Sequence, residues 1–179
     1  MSFINYELLE KAYQDGDMKE NAEALKTLDL FHCLFAATPE SAAKTKEGID
    51  GLPEDFLKWI EICDGGMLFR TALFCADSHN TEFDLEFDSY DGYNNAEFKE
   101  KWHLPDNWFI FAKSICFDLY FFDLSKKDGK VYSWYESEIS GEWCTFEDWL
   151  IAETDTAVED IMDETTEPLG IKLLYWGNE

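Results

Sequence analysis

The sequence predicts an α+β fold in which helices pack on a mixed or antiparallel β-sheet, and three observations predict it. Apolar residues recur at helical spacing through the first third of the chain. From Met67 to Tyr135 the pattern changes to strand-like runs with one clear hairpin. A helix with its own start signal returns at Thr145. Helices first, strands next and a helix last suit an α+β layering better than the strict alternation of a parallel α/β sheet. The chain has 179 residues, 46% hydrophobic and 17% aromatic. It is long and apolar enough for a substantial core, and we read residues 1–179 as a single domain.

Each element follows from local pattern. Ile4, Leu8 and Ala12 recur at four-residue steps, with Gly16 as a stop. A second helix is expected from Met18 to Phe35, with Leu25, Leu28, His32 and Phe35 on one stripe. Pro39-Glu40-Ser41 starts a third, which Gly48 and Gly51 end. The segment Leu52–Gly66 reads as a helix with both punctuation marks. Pro53 suits the first helical position, where no N–H is needed, and Gly65-Gly66 provides left-handed angles for a stop. Phe56, Trp59, Ile60 and Cys63 form its apolar face; Glu54, Asp55, Lys58 and Glu61 take the other side.

Strand signals begin at Met67 and run to Cys75. Glu82–Asp88 alternates strictly, with four carboxylates on one face and Phe83, Leu85 and Phe87 on the other. Asn94–Lys101 tolerates helix, Leu104–Asn107 is a turn, and Trp108–Ala112 is a buried strand. Leu119–Leu124 and Lys130–Tyr135 flank Asp128-Gly129 as a hairpin. Thr145-Phe146-Glu147-Asp148 has capping-box spacing and starts a helix carrying Phe146, Trp149 and Leu150. A weaker helix is expected over Thr156–Glu164, and Ile171–Trp176 reads as an edge strand or docking tail.

Charge narrows the function. The chain carries 39 acidic and 14 basic residues, a net charge of −25, and acidity rises toward the C-terminal end. Such a surface repels nucleic acid and anionic membrane and attracts basic partners. The opening residues lack the basic start and apolar stretch of an export signal, and no apolar run reaches the ~20 residues of a membrane span. Five dispersed cysteines without a C-x-x-C pair read as reduced thiols, consistent with a cytoplasmic protein. Catalytic patterns are absent. His32, His79 and His103 are the three histidines, and no G-x-S-x-G, H-E-x-x-H or P-loop occurs. Asp84-x-Glu86-x-Asp88 imitates the start of a calcium loop, but Ser89 stands where that loop needs glycine. We therefore expect neither an enzyme, nor a metal site, nor a cofactor.

Three pieces together resemble the SUKH superfamily, which groups yeast cell-wall-synthesis regulators with bacterial immunity proteins. They are the Leu52–Gly66 segment, the strand and hairpin from Trp108 through Asp123 to Tyr132, and the Thr145–Leu150 helix start. The resemblance covers about residues 39–152; residues 1–35 are extra N-terminal helices and 153–179 a C-terminal extension. Two departures stand out: Asp64 where the family usually has Asn, and Ser114–Asp118 where it often has a Gly/Asp-rich turn. The resemblance implies a non-catalytic α+β module. Many bacterial members look like immunity proteins that bind a toxin domain, often a nuclease; eukaryotic relatives look like regulatory interaction proteins.

The expected partner is therefore another protein, a basic toxin domain, with no direct nucleic-acid or membrane contact. Oligomeric state stays open. A regulatory scaffold and an acidic nucleic-acid mimic are the alternatives. Two segments combine carboxylates for long-range attraction with aromatics for specificity. One contributes Glu82, Asp84, Glu86, Asp88, Tyr90 and Asp91; the other contributes Trp134, Glu136, Glu138, Glu142 and Trp143.

Overall fold

The computed structural model describes residues 32–47, 49–68, 71–77, 79–80 and 86–161. Its strands are β1 (His32–Ala36), β2 (Cys63–Leu68), β3 (Thr71–Leu73), β4 (His79–Asn80), β5 (Glu86–Phe87), β6 (Trp108–Ser114), β7 (Leu119–Asp123), β8 (Val131–Tyr135) and β9 (Glu138–Trp143). Its helices are α1 (Pro39–Lys46), α2 (Glu54–Ile60), α3 (Tyr90–Asn94), α4 (Ala96–Trp102) and α5 (Phe146–Ile161). Seven strands form one sheet in the order β1-β2-β3-β6-β7-β8-β9, and β4 pairs with β5 separately. Every neighbouring pair in the large sheet is antiparallel. The α+β expectation holds.

Helices α2 and α5 pack on aromatic side chains of β6 and β7. Phe56 of α2 sits at the centre of the core. Its ring centroid lies 5.0–6.5 Å from those of Tyr90, Phe109, Phe111, Phe122 and Phe146, mostly edge to face. Trp59 and Ile60 complete the buried face of α2, and Phe146, Trp149 and Leu150 that of α5. Aromatic pairs of this geometry contribute about 0.5–1.5 kcal/mol each beyond the area they bury.

Two aspartates tie the frame together. Asp55, expected on the solvent side of its helix, instead caps α5. Its Oδ2 accepts the Phe146 N–H (2.7 Å) and the Glu147 N–H (3.3 Å), while Oδ1 accepts the Phe56 N–H (2.9 Å). Thr145 Oγ1 accepts the Asp148 N–H (3.0 Å). The orphan donors at the start of α5 are thus shared between a local cap and a remote one. Asp64 is buried, and its Oδ1 accepts the Ala76 N–H (2.8 Å). An Asn side chain would offer the same kind of oxygen to this N–H.

The structure corrects several local expectations. His32–Ala36 is strand β1 rather than the end of a helix; a short apolar run without breakers fits either element until a partner strand is present. The Leu52–Gly66 helix stops at Ile60, and Cys63, Gly65 and Gly66 lie in β2. Both glycines take positive φ (+74° and +126°), and Gly65 also sits where the chain approaches closely. A Cβ on Gly65 would lie 2.4 Å from the Phe74 carbonyl oxygen. Met67–Cys75 is not one strand, because β2 and β3 fold back on each other. The Asn94–Lys101 region resolves into α3 and α4, and α5 runs unbroken to Ile161 instead of restarting at Thr156. Of the alternating Glu82–Asp88 run, Glu86–Phe87 forms β5. Strand β9 was not anticipated, since its largely exposed, polar pattern lacks the apolar alternation of a half-buried strand. The first two expected helices up to residue 31 and the Ile171–Trp176 segment lie outside the described residues.

Candidate protein-binding surface

The β6–β7 and β8–β9 turns project from one end of the sheet. Leu119 pairs with Trp134, and Tyr135 pairs with Glu138, so the two turns are neighbours. Ser114 and Asp118 build the first turn. The Ser114 N–H donates to the Asp118 carbonyl (2.8 Å), and Ser114 Oγ donates to Asp118 Oδ2 (2.7 Å). Ser114 Oγ also accepts the N–H groups of Cys116 (3.1 Å) and Asp118 (3.0 Å). This network holds the turn and leaves Phe117 at φ +70°. A bulky residue rarely adopts that conformation. In the second turn Glu136 and Ser137 both take positive φ (+47° and +74°), as a two-residue hairpin loop requires, although neither is the usual Asn or Gly.

The tip is apolar with an acidic rim. Phe117 is 75% exposed, Ile115 57%, Ile139 52% and Tyr135 40%. Around them stand the carboxylates of Asp118, Glu136 and Glu138. Glu136 first, and Asp118 less strongly, hold the Tyr135 hydroxyl above its ordinary pKa. Neither segment 114–118 nor 134–140 contains a lysine or arginine. Phe117 is thus an exposed aromatic held in a costly backbone conformation, with three further exposed apolar side chains beside it.

The residues expected from sequence scatter across the molecule. Glu136 and Glu138 are exposed at the tip, with half-buried Trp134 beneath them. Glu142 and Trp143 sit at the far end of β9; Glu142 pairs with Lys130 (2.5 Å), and the Trp143 ring packs 5.9 Å from that of Tyr120. Tyr90 is 7% exposed and stacks on Phe109, so the core and not a surface holds it. Asp88 is engaged internally. Lys113 Nζ donates to Asp88 Oδ2 (2.7 Å) and to the Tyr93 hydroxyl (2.5 Å), which itself donates to Asp88 (3.0 Å). Burial opposes the Lys113 charge, but these bonds outweigh it and raise its pKa. Asp91 is exposed on α3. Glu86 lies in β5, and Glu82 and Asp84 lie outside the described residues. Sequence reasoning missed Ile115, Phe117, Asp118 and Ile139. The available signal was Phe117, an aromatic in a turn where glycine is the natural choice.

Elsewhere, a groove of about 670 Å³ runs between the start of α2, the 127–129 turn and the start of α5. Asp55 lines it but is already committed to capping. A second groove of about 350 Å³ has Lys99 in its wall. Lys99 Nζ is itself satisfied by the carbonyls of Asp106 and Trp108, both at 2.7 Å. Among the described residues no group of three or more His, Cys, Asp or Glu could hold a metal ion, and no helix is long and apolar enough to cross a membrane.

No curated protein sequence and no solved structure matches the chain significantly. A family model does match, and it covers residues 38–152, from the cap of α1 to within α5. That span takes in the α2 segment, the β2 glycines, the β6–β8 strands and the capped start of α5, so this chain belongs to the SMI1 / KNR4 family (SUKH-1).

Proposed function

We propose that this chain is a non-catalytic protein-binding module that acts in the cytoplasm as an immunity protein, neutralising a basic toxin domain such as a nuclease. In this reading the whole chain, 1–179, works as one domain, with the flanks of the family core as extensions. The observation that carries it is the sheet tip, where four exposed apolar side chains are ringed by carboxylates and no base lies in either segment. Apolar anchors inside a charged rim are the anatomy of a recognition surface. The net charge of −25 adds long-range attraction for a cationic partner and accelerates encounter by about 10–10³-fold at low salt. Family membership supports a binding role over a chemical one.

Co-expression with the toxin domain encoded beside this chain tests the proposal. Protection of the host, and a complex that co-purifies at about 0.15 M ionic strength and weakens as salt rises, are expected. Continued toxicity with no complex would overturn it.

A further inference from the structure

The tip also has a shape, and the shape bears on how a partner is engaged. Ile139 lies opposite Trp134 across the β8–β9 pair, whereas Tyr135 lies opposite Glu138, one residue on and therefore on the other face of the sheet. Phe117 and Ile115 project from the adjoining turn. The exposed apolar groups thus wrap around the end of the sheet instead of paving one side. A flat partner would reach Ile139 or Tyr135 but not both. A concave one would reach both, with Phe117 directed into it. Asp118, Glu136 and Glu138 set the required charge of that concavity as positive.

We propose that the tip formed by residues 114–118 and 134–139 inserts into a cationic cleft of the toxin domain, with Phe117 as its apolar anchor. The proposal rests on the toxin-binding reading above and specifies its geometry. A concave cationic surface on a nucleic-acid-cutting domain is where its polyanionic substrate lies, so insertion neutralises by occupying the substrate cleft. The strain at Phe117 is then a feature of function. Glycine would sit there more comfortably but would remove the anchor.

The test uses the full chain and the neighbouring toxin domain, inactivated in its chemistry, with binding read by surface-immobilised titration. Phe117→Gly is expected to weaken binding by about tenfold or more while leaving thermal stability equal or higher. A residue with a structural role would lower both. The double reversal Glu136→Lys, Glu138→Lys is expected to slow association and flatten its salt dependence. Trp102→Ala, a control at an exposed aromatic on α4, is expected to bind as the unaltered chain does. A short oligonucleotide duplex should compete with the chain for the toxin domain. Unchanged affinity in Phe117→Gly, an equal loss in Trp102→Ala, or a ternary complex with the duplex would each overturn the insertion. Absence of any complex with the unaltered chain would overturn the functional reading itself, and the insertion with it.

Discussion

Replacing Asp55 by alanine is the sharpest test of how this fold is assembled. The carboxylate reaches a helix start 91 residues away in sequence. Its Oδ2 takes the first two N–H groups of α5 at 2.7 and 3.3 Å, and Oδ1 takes the Phe56 N–H at 2.9 Å. Loss of an N-terminal cap costs about 1–2 kcal/mol. The partial positive charge at the helix start loses a facing anion, which adds about 0.3–1 kcal/mol. Phe146 is fully buried, so its N–H is poorly placed to recruit water in compensation. Together these give about 1–3 kcal/mol, a large share of the 5–15 kcal/mol typical of a domain. Asp55→Asn keeps one acceptor oxygen, turns an NH2 donor toward the remaining N–H groups and loses the charge, so it should cost about 1–3 kcal/mol. Urea unfolding followed by fluorescence of the buried Trp59 and Trp149 measures both variants, and hydrogen exchange at the Phe146 and Glu147 amides localises the effect. A loss below about 0.5 kcal/mol for Asp55→Ala, within the range of a neutral surface change, would refute the remote-cap argument.

Asp64→Ala should lose about 1–3 kcal/mol, because the Ala76 N–H loses its buried acceptor. Gly65→Ala places a Cβ against the Phe74 carbonyl at positive φ, and a loss of about 3 kcal/mol or more, or insoluble expression, is expected. Glu153 gives a pH dependence. Its carboxyl accepts the Thr71 hydroxyl (2.5 Å) and the Tyr120 hydroxyl (2.9 Å), yet burial outweighs these bonds and raises its pKa. Between the ordinary and the raised value the folded state therefore holds more protons than the unfolded one, so stability falls as pH rises through that window. Glu153→Gln should remove this term, and its melting temperature relative to the unaltered chain should climb from pH 4 to pH 8; a difference that shrinks over that range would show the sign to be wrong.

Much of the fold is legible in local pattern. The β7–β8 hairpin is written in two aromatic strands around Asp128-Gly129, β6 in an unbroken apolar run, and the starts of α1 and α5 in Thr38-Pro39 and Thr145-Phe146. Each depends on neighbours within a few residues. The elements misread are those whose identity depends on a distant strand. His32–Ala36 becomes a strand because β2 is there to pair with it, and Gly65 is glycine because a Cβ there would lie within 3 Å of the Leu73 and Phe74 carbonyl oxygens. Exposure divides in the same way. Glu136 and Glu138 are exposed and Tyr90, in a similar acidic and aromatic setting, is buried. Period-two alternation says which residues share a face and not which face meets the core.

By itself, then, the sequence determined the class of layers, the aromatic load of the core, the acidic charge and the family. Tertiary structure alone decided that Asp55 serves a helix start 91 residues away and that Tyr90 faces inward. It alone brought the turn bearing Phe117 beside the turn bearing Glu136. Helix propensity, turn chemistry and charge act over a few residues and are written locally, whereas exposure and adjacency are properties of which surfaces meet, and those exist only once the strands have paired.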